Sequence, residues 1–465
     1  MDHQIDNNRL QYSANGFLFF SGSFCARKRY KAIKKFFLVD APMGSGKTQT
    51  LINHLKSCKE YYSKNGKRFL VCVNRITEEK RIQNDVRCYI PIDGRKSADI
   101  KRLVSEGKNI CCTHSLFNSF DSETLNLFAH GKYKYDLYHD EQPEVFKGII
   151  GSSAQNKAFE QPLISSIGEY DLANLIREKI LIPCFGQYFW NCEHEINDTP
   201  KSLYFALKEL LKTAELYPFG TNAFNEEAPS SLLAFVRPRA FIAFENVWVL
   251  SYMIKGSVFE NYLCLHGVSD YEYMHLEDGK FVRGYSKEYP KGLERLEINS
   301  EKESYDIDFS LSKSGYAKLN EKQLEELTHK FYNFMRSKKP NVKVSDYVYT
   351  TFTGYEKLSK YNKNISSKRF VACNIKAVNE YENATIVGYL IDRHVNPVLV
   401  NFFEAKDIKV DRDLYSLSEM IQLVWRSNIR CDSDEKVYVY MPSNRMAKIF
   451  LEWVNASTKD ALGNF

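Results

Sequence analysis

The sequence contains no long hydrophobic run that could span a membrane. Its most apolar stretch, residues 231–254, is interrupted by two arginines and a glutamate, whereas a membrane-spanning helix needs about 20 mostly apolar residues. The first ten residues are polar, which is not typical of a secretory signal. We therefore expect a protein that works in the cytoplasm and has no membrane partner.

Cysteine pairs with the spacing of a metal or redox site are also lacking. None of the 11 cysteines forms a Cys-x-x-Cys pair, the spacing that many zinc and redox motifs use. One trio, Cys184, Cys192 and His194, offers three ligands where a structural zinc usually takes four. Ordinary packing is the better interpretation of these side chains, and the scattered thiols favour a reducing compartment.

Charge of one sign is not in large excess. The formal net charge is +6, from 64 lysines and arginines against 58 aspartates and glutamates. This excess is too small to indicate a protein that binds polyanions over its whole surface, but a local basic channel is compatible with it, so net charge neither supports nor excludes nucleic acid as a partner. A length of 465 residues with 44% hydrophobic content allows two or three domains, each with its own core.

A glycine-containing loop follows the first clear apolar segment, residues 36–39. The run Ala41-Pro-Met-Gly-Ser-Gly-Lys-Thr48 has the spacing of a Walker A loop, and a helix-like stretch follows it. Glycines in such a loop let backbone N–H groups surround phosphates, and the helix dipole adds to their attraction. The loop predicts a nucleotide site with Mg²⁺ on Thr48. The expected ATP contacts are Pro42, Met43, Gly44, Ser45, Gly46, Lys47 and Thr48.

Two adjacent carboxylates, Asp140 and Glu141, follow another apolar segment at residues 135–138. A strand there would deliver Asp140 to the carboxyl edge of the sheet, where it can share Mg²⁺ with Thr48. Glu141 would then orient and deprotonate the attacking water. A solvated turn is the alternative interpretation of an Asp-Glu pair, but the preceding strand favours hydrolysis.

Short apolar segments alternate with helix-like segments in two parts of the chain, which predicts an α/β fold with two parallel-sheet lobes. We place the first lobe at residues 1–268, with a mainly helical insertion at about 147–239. Residues 269–340 form a connecting segment and the start of the second lobe, which continues through 341–465. Its expected strands are residues 346–351, 370–373, 397–403 and 436–440, with a helix at 416–429.

The order of these motifs resembles that of superfamily 2 helicases of the DEAD/DEAH-like type, among which are phage and mobile-element proteins. The resemblance implies two RecA-like P-loop lobes that use ATP and Mg²⁺. It implies that Ser251 couples hydrolysis to lobe movement. It also implies that loops on both lobes contact the nucleic-acid backbone. The implied contacts are Asn74, Arg75, Thr113, His114, Thr351, Asn374 and Lys376, the last two in a loop that lacks the family's usual glycine.

The segment Gln422-Leu-Val-Trp-Arg-Ser-Asn-Ile-Arg430 resembles the helix that supplies arginine fingers in this family. On a continuous helix Gln422, Arg426 and Arg430 would lie within about 80° on one face. A guanidinium there would stabilise charge on the γ-phosphate when the lobes close. Trp425 replaces the usual glycine, and the second arginine comes one residue later than usual, so which arginine acts stays open. An exposed basic helix face is the alternative.

These features predict an ATP hydrolase that moves along or unwinds nucleic acid, with single-stranded DNA favoured over RNA and replication or repair as its setting. The alternative is a nucleic-acid-stimulated ATPase that acts as a clamp or switch with a protein partner, which the insertion could bind. A phosphotransferase is a third hypothesis. Aromatic residues of the insertion are interpreted as packing or as a strand-separating wedge. They are Tyr188, Phe189, Trp190 and Phe205.

Overall fold

The structure is a computed structural model, and it describes residues 35–58, 62, 66–151, 162–191, 202–299, 307–372 and 381–462. Two predicted nucleic-acid contacts, Asn374 and Lys376, lie outside the described residues, as do Cys192 and His194 of the possible zinc trio. No helix within the described ranges is both long and apolar enough to cross a membrane.

The described chain forms three β-sheets and the helices that pack on them. The strands are β1 (Lys35–Asp40), β2 (Lys67–Val73), β3 (Ile110–Thr113), β4 (Lys134–Asp140), β5 (Phe146–Ile150), β6 (Leu181–Cys184), β7 (Gln187–Trp190), β8 (Ala214–Phe219), β9 (Ser231–Val236), β10 (Asn246–Ser251), β11 (Tyr271–Glu277), β12 (Lys280–Arg283), β13 (Leu296–Ile298), β14 (Tyr347–Thr350), β15 (Ile386–Tyr389) and β16 (Val437–Tyr440). The α-helices are α1 (Lys47–Ser57), α2 (Ile76–Val86), α3 (Lys96–Ser105), α4 (His114–Asn118), α5 (Ser122–His130), α6 (Pro162–Ser165), α7 (Glu169–Arg177), α8 (Leu203–Thr213), α9 (Arg239–Ile242), α10 (Val258–Leu265), α11 (Lys313–Tyr316), α12 (Glu321–Lys338), α13 (Pro397–Glu404), α14 (Arg412–Val424) and α15 (Asn444–Leu462).

The first sheet places β1, the strand before the phosphate loop, near its centre. Its order is β12-β11-β1-β10-β4-β2-β3, in which β11 and β12 are antiparallel and the other neighbours are parallel. Alternate side chains of β1 enter two separate hydrophobic clusters, so both faces of the sheet are covered. The sheet extends past the predicted lobe boundary at residue 268, because β11 pairs with β1.

The insertion contains a five-stranded antiparallel sheet, in the order β5-β9-β8-β7-β6. The expectation that this region is mainly helical is therefore wrong. Strands β6 and β7 form a hairpin around Phe185 and Gly186, whose φ angles of 49° and 75° suit a tight two-residue turn. Helices α6, α7 and α8 contribute to the same core. Tyr188 and Trp190 are buried there, which supports the packing interpretation of the insertion aromatics.

The second lobe is built on a parallel sheet in the order β13-β16-β15-β14. The strand expected at residues 397–403 is wrong, because this segment is the helix α13. The side chain of Asn396 caps its first turn by accepting from Val398 N, and Pro397 occupies the first helical position. The sheet contains β15 in place of that segment. A strand was also expected at residues 370–373, and in the described part of this range only a single bridge, Phe370 to Tyr349, is formed.

Helix α13 follows a strand of the second lobe but packs into the hydrophobic core of the first lobe. Phe402 and Phe403 are buried against Phe235 of β9, with ring centroids 5.6 and 5.7 Å away. Phe402 also lies 5.8 Å from the ring of Tyr217 on β8. The chain then returns to the second lobe at α14. The two lobes are thus joined through α13 as well as through the segment after β12.

The predicted fold class is confirmed in its main features. The protein is of α/β class, with two lobes built on mainly parallel sheets. The insertion lies between β4 and β10 of the first sheet, so it leaves the order of the strands that carry the predicted site intact.

Candidate functional site

The predicted phosphate loop connects β1 to α1 at the carboxyl edge of the first sheet. Gly44 and Gly46 have φ angles of 76° and 87°, a left-handed conformation that side chains disfavour. Gly46 accepts the first hydrogen bond of α1 from Thr50 N at 2.8 Å. The loop is held to the sheet where Ala41 N donates to Ser251 O at 2.9 Å. The glycines therefore permit a tight turn that aims the start of α1 at the sheet edge.

Lys47 begins α1 and is buried, with 8% of its surface exposed. Its Nζ donates to Ala41 O at 2.8 Å and to Pro42 O at 2.9 Å, which places the ammonium inside the loop. Burial lowers the pKa of Lys47, and the negative charges of Glu141 and Asp140 oppose that shift. The cation of the phosphate loop and the two predicted acidic residues thus share one buried site.

Thr48 and Asp140 meet directly at this edge. Thr48 Oγ1 donates a 2.8 Å hydrogen bond to Asp140 Oδ2. Burial raises the pKa of Asp140 to about 6, and Glu141 adds to this shift while Thr48 and Lys47 oppose it. Mg²⁺ commonly takes one or two carboxylates from a protein and completes its shell with phosphates and water. A hydroxyl beside a buried carboxylate fits such a cation.

This cation site would depend on ligands from outside the chain. Among the described residues, no group of three or more His, Cys, Asp or Glu side chains is arranged to hold a metal ion. Thr48 and Asp140 alone give two oxygen ligands, whereas Mg²⁺ prefers an octahedral shell. Thr48 and Asp140 would therefore supply part of the shell of a bound Mg²⁺, with phosphates and water as the other ligands.

Glu141 has a left-handed backbone conformation, with φ of 87° at a residue that is not glycine. Such a conformation costs about 1–3 kcal/mol and is found most often where surrounding structure enforces it. Here the enforcing contact is the 2.9 Å hydrogen bond from Glu141 N to Leu250 O on β10. The chain turns sharply after β4 as a result, and the Glu141 carboxylate stays within electrostatic range of Lys47.

Ser251 lies at the end of β10, between the two loops. The contact that ties it to the phosphate loop is made by its main chain, through the Ala41 N to Ser251 O bond, while the preceding carbonyl holds Glu141. Strand β10 lies between β1 and β4 in the sheet. A coupling role would therefore pass through the backbone at the end of β10, and its test needs more than removal of the Ser251 hydroxyl.

Sequence reasoning missed Asp40, the last residue of β1. Its carboxylate accepts hydrogen bonds from Met253 N at 2.8 Å and Ile254 N at 3.2 Å, which fixes the turn after β10. Burial raises the pKa of Asp40 to about 6. The available signal was an acidic residue at the end of a fully apolar strand, directly before the loop.

The second lobe brings Arg426 to this site, although not along a continuous helix. Helix α14 ends at Val424, so the prediction that Gln422, Arg426 and Arg430 share one helical face is wrong. The physical reason is Ser427, whose extended backbone (ψ −171°) interrupts the helix and whose side chain caps the following turn, while Asn428 N donates to Ala384 O outside the helix. Only Gln422 remains on the helix.

Arg426 is 5% exposed, and its Nε donates to Gln422 O at 3.1 Å. Burial lowers its pKa to about 10, and the strongest opposing charge is Glu141 of the first lobe. Its Nη1 is buried and has no hydrogen-bond partner in the described part of the chain. Arg430 is exposed, and its positive charge also lowers the pKa of Lys47. Both arginines therefore approach the first-lobe site.

The predicted nucleic-acid contacts lie on two neighbouring strand ends of the first lobe and one of the second. Asn74 and Arg75 follow β2, and the positive charge of Arg75 contributes to the lowered pKa of Arg426. Thr113 caps α4 by accepting from Leu116 N at 3.2 Å. The ring of His114 lies 3.2 Å from Cys72 O.

The side chain of Thr351, a predicted nucleic-acid contact, is buried and does not lie at the surface. Its side chain is 2% exposed and donates to Tyr355 O at 3.0 Å. The hydroxyl therefore stabilises the loop after β14, and any contact from this loop would come from its other atoms.

The chain is similar to a described family, a curated protein and a solved structure. A family described as the YonV C-terminal Rossmann-like domain matches residues 291–454. The SPbeta prophage-derived uncharacterized protein YonV of Bacillus subtilis (strain 168) is 26% identical over 445 residues, covering 90% of this chain and 98% of that protein. The solved structure of S. tokodaii Xpd4 has a TM-score of 0.44 and 9% identity, over 90% of this chain and 94% of that one. The chain is therefore similar to a prophage-derived protein along most of its length.

Proposed function

We propose that the protein is an ATP-driven motor of the superfamily 2 helicase type, which couples ATP hydrolysis to movement along nucleic acid or to its unwinding. The observation that carries the proposal is the approach of Arg426, from the second lobe, to Glu141 beside Lys47 in the first lobe. A site divided between two lobes is complete only when they are closed. Hydrolysis and lobe movement are then linked.

Each residue of the site has its own task in this proposal. Lys47 and the phosphate-loop N–H groups hold the phosphates, and Thr48 and Asp140 hold Mg²⁺. When bound, that cation neutralises phosphate charge during transfer. Glu141 orients a water molecule and accepts its proton as the water attacks the γ-phosphate. Arg426 stabilises the negative charge that develops on the transferred group.

The main-chain contacts of β10 support the link between hydrolysis and movement. Its last two carbonyls hold Ala41, at the start of the phosphate loop, and Glu141, the proposed base. A shift of the phosphate loop on nucleotide release would therefore displace Glu141 and the turn that Asp40 fixes. This gives the coupling role assigned to Ser251 a physical route through the backbone.

The proposed track is single-stranded nucleic acid, with DNA favoured over RNA. The loops that carry Asn74 and Arg75 and that carry Thr113 and His114 follow adjacent parallel strands, so they lie at one edge of the sheet. Loops of this kind suit contacts to the backbone rather than to bases. We propose replication or repair of DNA as its setting, and the similarity to a prophage-derived protein favours a mobile element as the source of that DNA.

A clamp or switch is the second candidate, and one observation favours it. Helix α13 of the second lobe is buried in the core of the first lobe, with Phe402 and Phe403 at its centre. A large opening of the lobes would expose these side chains, and fully burying a phenylalanine contributes about 1.5–3 kcal/mol. Movements of small amplitude, such as those of a regulated clamp with a protein partner, avoid that cost.

The experiment is a measurement of ATP hydrolysis with no polymer, single-stranded DNA, duplex DNA and RNA. The E141Q variant removes the proposed base, and E144Q changes an exposed carboxylate three residues later as the matched control. We expect strong stimulation by single-stranded DNA that E141Q abolishes and E144Q retains. Equal hydrolysis by E141Q and the wild type would refute the assignment of Glu141. Hydrolysis that no polymer stimulates would refute the nucleic-acid track.

A further inference from the structure

The segment between β12 and the second lobe, residues 284–290, lies on the side of the phosphate loop away from the acidic pair. In the first sheet, β4 with its carboxylates lies two strands from β1 on one side, and β11 and β12 lie on the other. A nucleotide whose γ-phosphate faces Glu141 must extend its ribose and base in the opposite direction. That direction leads to residues 284–290.

This segment is anchored at two points, one on β11 and the other on Tyr252, which follows the strand bonded to the phosphate loop. Gly284 N donates to Tyr273 O at 2.9 Å, and Tyr252 OH donates to Glu288 O at 3.1 Å. The carboxyl group of Glu288 is close enough to Lys47 for that lysine's charge to lower its pKa, against the rise that burial causes. The segment is therefore held within reach of a nucleotide bound at Lys47.

One aromatic ring of the segment is both supported and accessible. Tyr285 packs edge-on against Tyr273, with ring centroids 5.4 Å apart, and Lys255 Nζ lies 4.6 Å from its ring centroid. The side chain is nevertheless 44% exposed, a large open fraction for a tyrosine held by two neighbours. Lys255 lies over one face of the ring, and the remaining exposed part of an aromatic ring held in place is the chemistry that stacks on a nucleic base.

We propose that Tyr285 forms the base-binding part of the nucleotide site, by stacking on the purine ring of a nucleoside triphosphate whose phosphates lie in the loop at Lys47. The inference rests on the proposed function and adds the residue that receives the base. Stacking tolerates different bases because each has a π-face, so this contact supplies affinity for a nucleoside rather than recognition of one base.

The test compares a ligand that has a base with one that has none. Binding of ATPγS and of inorganic tripolyphosphate, each with Mg²⁺, is measured by titration calorimetry for the wild type, Y285A and Y285F. Y170A is the matched control, because Tyr170 is an exposed tyrosine on the insertion that also packs edge-on against one ring. Unchanged tripolyphosphate binding reports that each variant is folded.

We expect Y285A to weaken ATPγS binding about tenfold or more, the loss typical of one base–aromatic stack, and to leave tripolyphosphate binding unchanged. Y285F keeps the ring and is expected to bind ATPγS nearly as tightly as the wild type. An equal effect of Y285A on both ligands, or on neither, would overturn the inference while leaving the proposed function standing. A wild-type protein that binds neither ligand would overturn both.

Discussion

Replacement of Arg426 by alanine tests whether the second lobe completes the hydrolytic site. The guanidinium is buried and lies within electrostatic range of Glu141, so its charge acts in a region from which most water is excluded. At an effective dielectric constant of about 20, a guanidinium about 4 Å from a unit charge on the transferred phosphoryl group would interact with it by about 4 kcal/mol. A loss of that size from the transition state corresponds to about a thousandfold in kcat, the lower end of the range known for arginine fingers.

The assay is steady-state ATP hydrolysis at saturating single-stranded DNA, together with the Kd for ATPγS. R412A is the matched control, because Arg412 is an exposed arginine at the other end of α14. We expect R426A to lose about a thousandfold in kcat while its Kd for ATPγS changes by less than about fivefold, since the finger acts on charge that develops during transfer. R430A is expected to have the smaller effect of the two arginine variants, because Arg430 is exposed. A kcat for R426A within threefold of the wild type, or an equal loss in R412A, would refute the reasoning.

Three further predictions concern stability and binding. Folded Asp40 binds its proton more tightly than the unfolded chain, with a pKa of about 6 against 3.8, so its contribution to the free energy of unfolding falls by about 2 kcal/mol as pH rises from 4 to 6. Denaturant titrations should therefore show D40N gaining stability relative to the wild type over that range, and a constant difference would contradict the assignment. F402A should lower the free energy of unfolding by about 3–5 kcal/mol, whereas N401A, exposed on the same helix, should change it by less than about 0.5 kcal/mol; equal losses would show that α13 does not hold the lobes together. Affinity for single-stranded DNA should fall steeply between about 50 and 200 mM salt, and a flat response would exclude the proposed phosphate contacts.

The elements of the first lobe could be predicted because their signals are local. β1 has a buried apolar run at residues 36–39, and the glycines after it need left-handed backbone, so sequence alone locates the loop and its lysine. Asp140 ends β4, another buried strand, and Glu141 follows it directly. Their meeting with Thr48 and Lys47 follows from a parallel sheet, whose carboxyl ends share one edge.

The second lobe shows where local signals fail. The apolar run at residues 397–403 has the composition of a buried strand, but Asn396 and Pro397 start a helix there, and its buried surroundings come from the first lobe. The short strand β15 carries a glycine, Gly388, and was missed. Close packing is the reason for that glycine, since an added Cβ would lie 2.5 Å from the Phe331 ring. Such contacts are set by the tertiary structure.

The same limit applies to the arginines. Helical spacing predicts one shared face for Gln422, Arg426 and Arg430, but the helix ends at Val424 and the extended backbone of Ser427 separates Arg426 from Arg430. The arginines nevertheless face the first-lobe site, because the turn after α14 directs them there. The sequence shows that the arginines are present, but the residue at which α14 ends determines where their side chains lie.

The measurement that tests the motor most directly is ATP-dependent displacement of streptavidin from the end of biotinylated single-stranded DNA. A protein that moves along the strand should displace streptavidin when ATP and Mg²⁺ are present, and E141Q should bind the DNA without displacing it. Hydrolysis that is stimulated by DNA but gives no displacement, from either end and on RNA as well, would contradict the motor and leave the clamp as the better account.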